Sequence, residues 1–249
     1  MDYQSIHNDL TNSLPPFGSA LYVEDRLGRF DLSLLVETIL VGIVAVFAIK
    51  IIGGSSVLGA GWLIIPGILI FAALIPTAVN KRAFPTFGFN IRQMKDSLVV
   101  LGWSCVVLFP LMFCGLWVLK SYGLKPPLQP VPSRGQDWVY WLFYQFMYVA
   151  VSEEVFFRGY VQGNILSLTT PVMGKLPRLH QWVSIVISAA CFTVAHIIVQ
   201  GQIISVLIFL PGLVLGWLFI RTRSLLAPIL FHGLANACYL VIAIVLTWK

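Results

Sequence analysis

Charged residues are scarce in this sequence. Aspartate, glutamate, lysine and arginine make up 10% of its 249 residues, whereas 58% are hydrophobic. Soluble globular domains carry about 25% charged residues. The composition therefore excludes an ordinary soluble domain and predicts a chain that crosses a lipid bilayer several times.

Cysteine is scarce as well, with four residues in the chain. All four lie inside apolar runs, and none has the C-x-x-C spacing typical of zinc-binding or redox sites. This excludes a disulfide framework and favours small core side chains. The cysteines are Cys105, Cys114, Cys191 and Cys238.

The net charge of +6 does not indicate a nucleic-acid partner. The basic residues are spread among the polar segments between apolar runs, and no basic face with interleaved aromatics appears. Cytoplasmic loops of membrane proteins carry an excess of lysine and arginine. With the amino terminus inside, ten basic residues fall on the cytoplasmic side and five on the other.

The apolar runs approach the roughly 20 residues needed to span a bilayer. We predict an all-α fold, a polytopic transmembrane bundle of about seven to eight helices. Residues 1–32 are expected to form a cytoplasmic tail, 33–137 the first transmembrane helices with a linker, and 138–249 the core that carries the chemistry. The predicted spans are 34–52, 57–79, 97–119, 138–165, 181–199, 203–220 and 225–248.

One six-residue segment inside an apolar stretch contains three charged side chains, Glu153, Glu154 and Arg158. A charge in hydrocarbon costs at least about 2.5–3.5 kcal/mol, so these residues need partners, water or a function. On a helix Glu154 and Arg158 lie at i and i+4 and can pair. Glu153 is turned about 100° away and is free to face a cavity as a general base. An ion pair that only joins helices is the competing interpretation.

Further polar residues occur in two later spans. His196 follows Phe192 by one turn, and His232 and Asn236 lie at i and i+4 on one helix face. A lone membrane histidine usually makes a packing hydrogen bond, but polar groups of several helices tend to face inward together. A shared polar cavity is therefore predicted. Gln145, two turns before Glu153, is expected to be a packing residue, and a contact with the polar cavity is the alternative.

These residues resemble the three signatures of the CAAX protease and bacteriocin-processing family, the Abi or type II CAAX prenyl endopeptidase group of intramembrane proteases. The matching segments are Glu153-Glu154-x-x-x-Arg158, Phe192-x-x-x-His196 and His232-x-x-x-Asn236. Their order and spacing match too, and the resemblance covers roughly residues 138–239.

The resemblance implies a peptide hydrolase that uses a glutamate-activated water. Glu153 would be the general base and His196 would help hold the water, while Glu154 and Arg158 support the site. His232 and Asn236 would donate hydrogen bonds to the oxyanion. The implied partners are the bilayer and a membrane-associated protein or peptide, with or without a lipid: a CAAX-like tail, a leader or a carboxy-terminal sorting tag. The expected location is the bacterial inner membrane.

Two aspects of the chemistry stay open. A metal-free glutamic-type mechanism is favoured, because the zinc motif H-E-x-x-H is absent from the sequence. The alternative is a zinc ion held by Glu153, His196 and His232. A serine nucleophile at Ser152 is disfavoured, since no Ser/His/Asp order is evident.

Two other classes of function also fit the polar cluster. One is a proton-coupled transporter, although no second copy of the Glu-Glu segment appears in residues 1–130, as an inverted repeat would require. The other is a non-catalytic membrane scaffold or immunity protein that keeps these residues for binding.

Overall fold

The computed structural model describes residues 31–54, 61–82, 84, 91–123, 138–173 and 177–247. The described residues form seven helices and no strand, so the predicted all-α fold is confirmed. The helices are α1 Leu32–Gly54, α2 Gly61–Val79, α3 Ile91–Ser121, α4 over 138–173, α5 Pro177–Gln200, α6 Ile203–Thr222 and α7 Leu226–Thr247.

Five of these helices, α1, α3, α5, α6 and α7, are long and apolar enough to cross a membrane. α2 is a shorter apolar helix, and charged residues of the site interrupt the apolar run of α4. Many large apolar side chains on the outer faces are exposed, as expected where helices face lipid. These features support a multi-pass membrane protein.

Three predicted boundaries were wrong. α4 continues to Met173, beyond the predicted end at residue 165. α3 begins at Ile91, so residues 91–96 are helical and not part of a loop, and α5 begins at Pro177 instead of residue 181. Hydropathy marks the segment that enters hydrocarbon, whereas a helix continues through polar residues beyond it. Proline suits the first position of a helix, where its missing N–H needs no partner. The proline-rich linker predicted after α3 falls largely on 124–137, outside the described residues.

α4 is the central and least regular helix. It contains two π-helical segments, in which backbone hydrogen bonds run from i to i+5 and which are frequent at functional sites. Glu153 and Glu154 lie in the short α-helical stretch between the two. The segments in order are α-helical Trp138–Phe143, π-helical Tyr144–Ala150, α-helical Val151–Glu154, π-helical Val155–Gln162 and α-helical Gly163–Met173.

Serine hydroxyls satisfy backbone carbonyls in both π-helical segments. The hydroxyl of Ser152 donates to the carbonyl of Tyr148 at 2.5 Å. Ser188 on α5 donates to the carbonyl of Phe157 at 2.9 Å. Buried carbonyls need such partners, so these contacts stabilise the irregular backbone around the glutamates.

α4 is joined to α6 by two buried polar side chains at i and i+4. The Arg158 guanidinium donates from Nη2 to the carbonyl of Gly212 at 3.2 Å. The Gln162 amide donates to the carbonyl of Gly216 at 3.0 Å. Small residues let membrane helices approach closely enough for such contacts.

On its other side α4 is joined to α1. The Tyr160 hydroxyl donates to Oε1 of Glu37 at 2.8 Å, and Asn164 donates to the Thr38 hydroxyl at 3.0 Å. Arg82, just after α2, forms an ion pair with the same Glu37 oxygen. This network ties the first two helices to α4 away from the predicted site.

Candidate active site

The predicted pair between Glu154 and Arg158 forms. Nε of Arg158 lies 3.1 Å from Oε2 of Glu154, and Nη1 lies 3.3 Å from Oε1. Both side chains are fully buried. The i,i+4 spacing on α4 brings them together, and the helix interior removes them from water. Burying a charge is costly unless it is paired, and the contact between Glu154 and Arg158 offsets part of that cost.

A histidine of α7 contacts the same carboxylate. Nδ1 of His232 lies 2.7 Å from Oε1 of Glu154, a residue 78 positions earlier in the sequence. This short contact is typical of a charge-assisted hydrogen bond, in which the imidazole N–H donates to the carboxylate. The ring is therefore held with Nε2 directed away from Glu154.

His196 on α5 is oriented by its own helix. Its Nδ1 lies 2.8 Å from the carbonyl oxygen of Phe192. A carbonyl can only accept, so Nδ1 carries the proton, and Nε2 of the neutral ring presents a lone pair. Sequence spacing predicted the one-turn relation but not this fixed tautomer.

The Phe192 ring lies among the charged and aromatic groups of the site. The Arg158 guanidinium carbon is 4.4 Å from the ring centroid, within cation–π range. The rings of His196 and His232 meet it edge-on at centroid distances of 4.4 and 6.0 Å. Phe192 thus packs against both histidines and the cation that neutralises Glu154.

Glu153 lies between the two histidines. Its Oε2 is 3.8 Å from Nε2 of His196 and 3.8 Å from Nε2 of His232. This oxygen is buried, and the described residues give it no hydrogen-bond partner. The separations are too long for direct hydrogen bonds. The carboxylate and the imidazole lone pair of His196 are both acceptors, so a species with two donor hydrogens, such as water, fits between them.

Asn236 contacts Gln145, for which packing was the favoured prediction and a contact with the polar cavity the alternative. Its Nδ2 donates to Oε1 of Gln145 at 2.9 Å, joining α7 to the first π-helical segment of α4. Gln145 is almost completely buried. An isolated amide in a run of aromatic residues was the available signal, but only the fold shows that it faces Asn236.

The same side chains test the zinc alternative. Donors bound to tetrahedral zinc at about 2.0–2.1 Å are about 3.4 Å apart, whereas Glu153 lies 3.8 Å from each histidine nitrogen. Over the described ranges, no group of three or more His, Cys, Asp or Glu side chains is placed to hold a metal ion. As arranged, the residues of the alternative zinc set, Glu153, His196 and His232, do not fit a bound zinc ion.

The structure thus brings the six predicted site residues into two connected groups. Glu153, Glu154, Arg158, His196 and His232 form one cluster of neighbouring side chains, and Asn236 lies one turn beyond His232 with Gln145. The hydroxyl of Ser152 donates back to its own helix, which leaves it poorly placed as a nucleophile.

The fold and site define a class of protein: a helical, multi-pass membrane protein with a buried carboxylate–histidine cluster. Residues 135–238 match the family model described as type II CAAX prenyl endopeptidase Rce1-like. The predicted resemblance is confirmed over this segment, which contains all six site residues. At the family level this supports a CAAX-type intramembrane protease. No curated protein and no solved structure matches the chain.

Proposed function

We propose that this protein is an intramembrane endopeptidase in which Glu153 activates a water molecule to hydrolyse a peptide bond. One observation carries the proposal. The buried Oε2 of Glu153 has no hydrogen-bond partner in the described chain and is equidistant from Nε2 of His196 and of His232. A water held there would be desolvated, oriented and beside a base, which are the requirements of general-base catalysis.

The two histidines differ in what holds them, and we assign them different roles. His196 donates to a neutral carbonyl and presents a lone pair, so it accepts a hydrogen from the water. His232 donates to the carboxylate of Glu154. Glu153, Glu154 and Arg158 together carry one net negative charge, and a proton on His232 makes the buried group neutral. Protonated His232 then offers an N–H from Nε2.

Hydrolysis proceeds in two proton transfers. Glu153 removes a proton from the water as its oxygen attacks the scissile carbonyl carbon, and the carbonyl oxygen becomes an oxyanion. Nε2–H of His232 and the second N–H of Asn236 donate to that oxyanion. The C–N bond then breaks as Glu153 returns its proton to the leaving amine. The water oxygen and its second hydrogen end as the hydroxyl of the new carboxylic acid, which then loses that proton to solvent, and the hydrogen carried by Glu153 ends on the amine. No covalent enzyme intermediate forms.

The substrate that suits this site is a segment of a protein or peptide already at the membrane. The buried cluster lies among spanning helices, so a substrate reaches it from the bilayer or its surface. We propose a CAAX-like tail, a leader or a carboxy-terminal sorting tag, with or without a lipid, and a bacterial inner membrane as the location.

The test is cleavage of a panel of tail and leader peptides by the purified protein in detergent, with products identified by mass spectrometry. The variants are Glu153→Gln and, as a matched control, Glu37→Gln, which alters another membrane carboxylate outside the site. We expect wild type and Glu37→Gln to cleave a common peptide and Glu153→Gln to be at least about 100-fold slower. Equal rates in wild type and Glu153→Gln would refute the mechanism.

Should the wild type cleave no peptide of either class, the hydrolase proposal would fail. The same preparation in vesicles then tests the transporter alternative, because proton flux that depends on Glu153 requires no peptide. Flux in Glu37→Gln but not in Glu153→Gln would identify that alternative.

A further inference from the structure

The amide pair formed by Gln145 and Asn236 lies beside the catalytic group but takes no part in the ion-pair network. Asn236 is half-buried on α7, one turn beyond His232. Gln145 is 4% exposed and lies in the π-helical segment Tyr144–Ala150 of α4. Their contact, Asn236 Nδ2 to Gln145 Oε1, is 2.9 Å long.

This contact fixes how the Asn236 amide can be used. A primary amide has two N–H donors and one carbonyl acceptor, and its two ends are nearly equal in shape. An unpartnered Asn236 could present either end to a substrate. Because Gln145 Oε1 accepts, Nδ2 must lie on that side, and its second N–H remains available. The carbonyl oxygen of Asn236 is the end of the amide that does not contact Gln145 Oε1.

An Asn236 amide that turned its carbonyl oxygen toward the oxyanion would oppose hydrolysis. An oxyanion is stabilised by donors and repelled by a carbonyl oxygen, so the orientation of Asn236 matters most when negative charge develops. Preorganised donors act because they need no reorientation during the reaction. The Gln145 contact supplies that preorganisation from a second helix.

We propose that Gln145 is a positioning residue for the hydrolysis, acting through Asn236 by holding its amide with an N–H toward the oxyanion. The inference rests on the proposed function. Gln145 does not itself need to touch the substrate. The π-helical segment contributes by setting the direction in which the side chain of Gln145 projects from α4.

The test is a double-mutant cycle of Gln145→Leu and Asn236→Leu, with kcat and KM measured on the best-cleaved peptide of the panel. Leucine keeps most of the side-chain volume and removes the amide. We expect Gln145→Leu to lower kcat by roughly 10- to 100-fold with little change in KM, somewhat less than loss of an oxyanion donor itself. In the Asn236→Leu background the same change should have no further effect on kcat.

Gln162→Leu is the matched control. Gln162 is a second buried glutamine of α4 that donates to the carbonyl of Gly216 away from the site. Its loss is expected to lower the unfolding temperature but leave kcat of the folded protein unchanged. A merely structural role for Gln145 would give this same pattern.

The proposal is overturned when Gln145→Leu leaves kcat unchanged, or lowers it equally with and without Asn236.

The cycle is also measured as unfolding temperature in detergent, which needs no substrate. A double variant no less stable than either single variant supports the amide pair, because removing both partners leaves no buried amide unpaired. Additive losses contradict the pair. If the unfolding temperatures of the variants are coupled but the wild type cleaves no peptide, the amide pair is supported and the proposed function is refuted.

Discussion

Nδ1 of His232 lies 2.7 Å from Oε1 of Glu154, and this contact distinguishes Glu154 from the adjacent Glu153. Glu154 is enclosed by Arg158 and His232 and is fully buried, whereas the side chain of Glu153 is 18% exposed and faces both histidine Nε2 atoms. In the proposed mechanism, Glu154 orients the imidazole of His232 and Glu153 acts as the general base. A turn of about 100° between neighbours on the helix makes this division possible.

Substitutions of His232 can separate the two functions of its ring. In His232→Asn the short amide can still donate to Glu154, but nothing replaces Nε2. We expect an unfolding temperature close to wild type and a cleavage rate about 10²–10³-fold lower. His232→Leu should lose the same activity and also lower the unfolding temperature, because Glu154 loses a donor. Wild-type cleavage by His232→Asn would contradict the role of Nε2.

Removing one partner of the buried ion pair should destabilise the fold. Arg158→Met leaves Glu154 without its cation and removes the hydrogen bond to the Gly212 carbonyl. Breaking such a pair costs about 3–5 kcal/mol. We expect a lower yield of folded protein and a lower unfolding temperature in detergent. Adding Glu154→Gln should restore part of the lost stability, and a further decrease would contradict an ion-pair origin.

Close packing at Gly233 sets the distance between α4 and α7. A Cβ atom at this position would lie 2.4 Å from the ring of Phe146. Gly233→Ala should therefore shift α7, with His232, away from Glu153 and reduce cleavage at least about 10-fold, since small displacements of catalytic groups are costly. Phe146→Leu in the same chain should recover part of the activity.

Gly42→Ala is the control for that experiment. Nothing lies within 4 Å of a Cβ atom at Gly42, which is inside α1. Alanine is favoured over glycine in a helix, so the control should be neutral or slightly stabilising. Equal loss of activity in both variants would show that the Phe146 contact is not the cause.

The link between α1 and α4 should affect stability without affecting catalysis. Tyr160→Phe removes the hydrogen bond to Glu37 while keeping the ring, which is 1% exposed. We expect a loss of about 1 kcal/mol in the free energy of unfolding, and kcat close to wild type. Tyr122→Phe, which alters a tyrosine 80% exposed at the end of α3, should change neither quantity. A large loss of kcat in Tyr160→Phe would connect this network to the site.

Local sequence rules predicted what depends on one helix at a time. Hydropathy located the seven helices, and the i,i+4 rule placed Glu154 beside Arg158. Grouping the polar residues of three spans in one cavity followed from the high cost of exposing them to lipid. These predictions needed no knowledge of how the helices pack.

Features that depend on packing between helices could not be predicted. The π-helical segments of α4 are supported in part by Ser188, a residue of another helix. Gln145 looks like a packing residue until α7 brings Asn236 to it. The early start of α3 at Ile91 was missed because its first turn is polar and lies beyond the apolar run.

The most direct test of the central claim combines Glu153→Gln with metal removal. Cleavage of one peptide is measured for the wild type and the variant, before and after dialysis against a strong chelator, and again after zinc is added. We expect chelator to leave wild-type cleavage unchanged and Glu153→Gln to be at least about 100-fold slower under every condition. Wild-type cleavage that chelator abolishes and zinc restores would contradict the metal-free mechanism, and full activity of Glu153→Gln would contradict its general base.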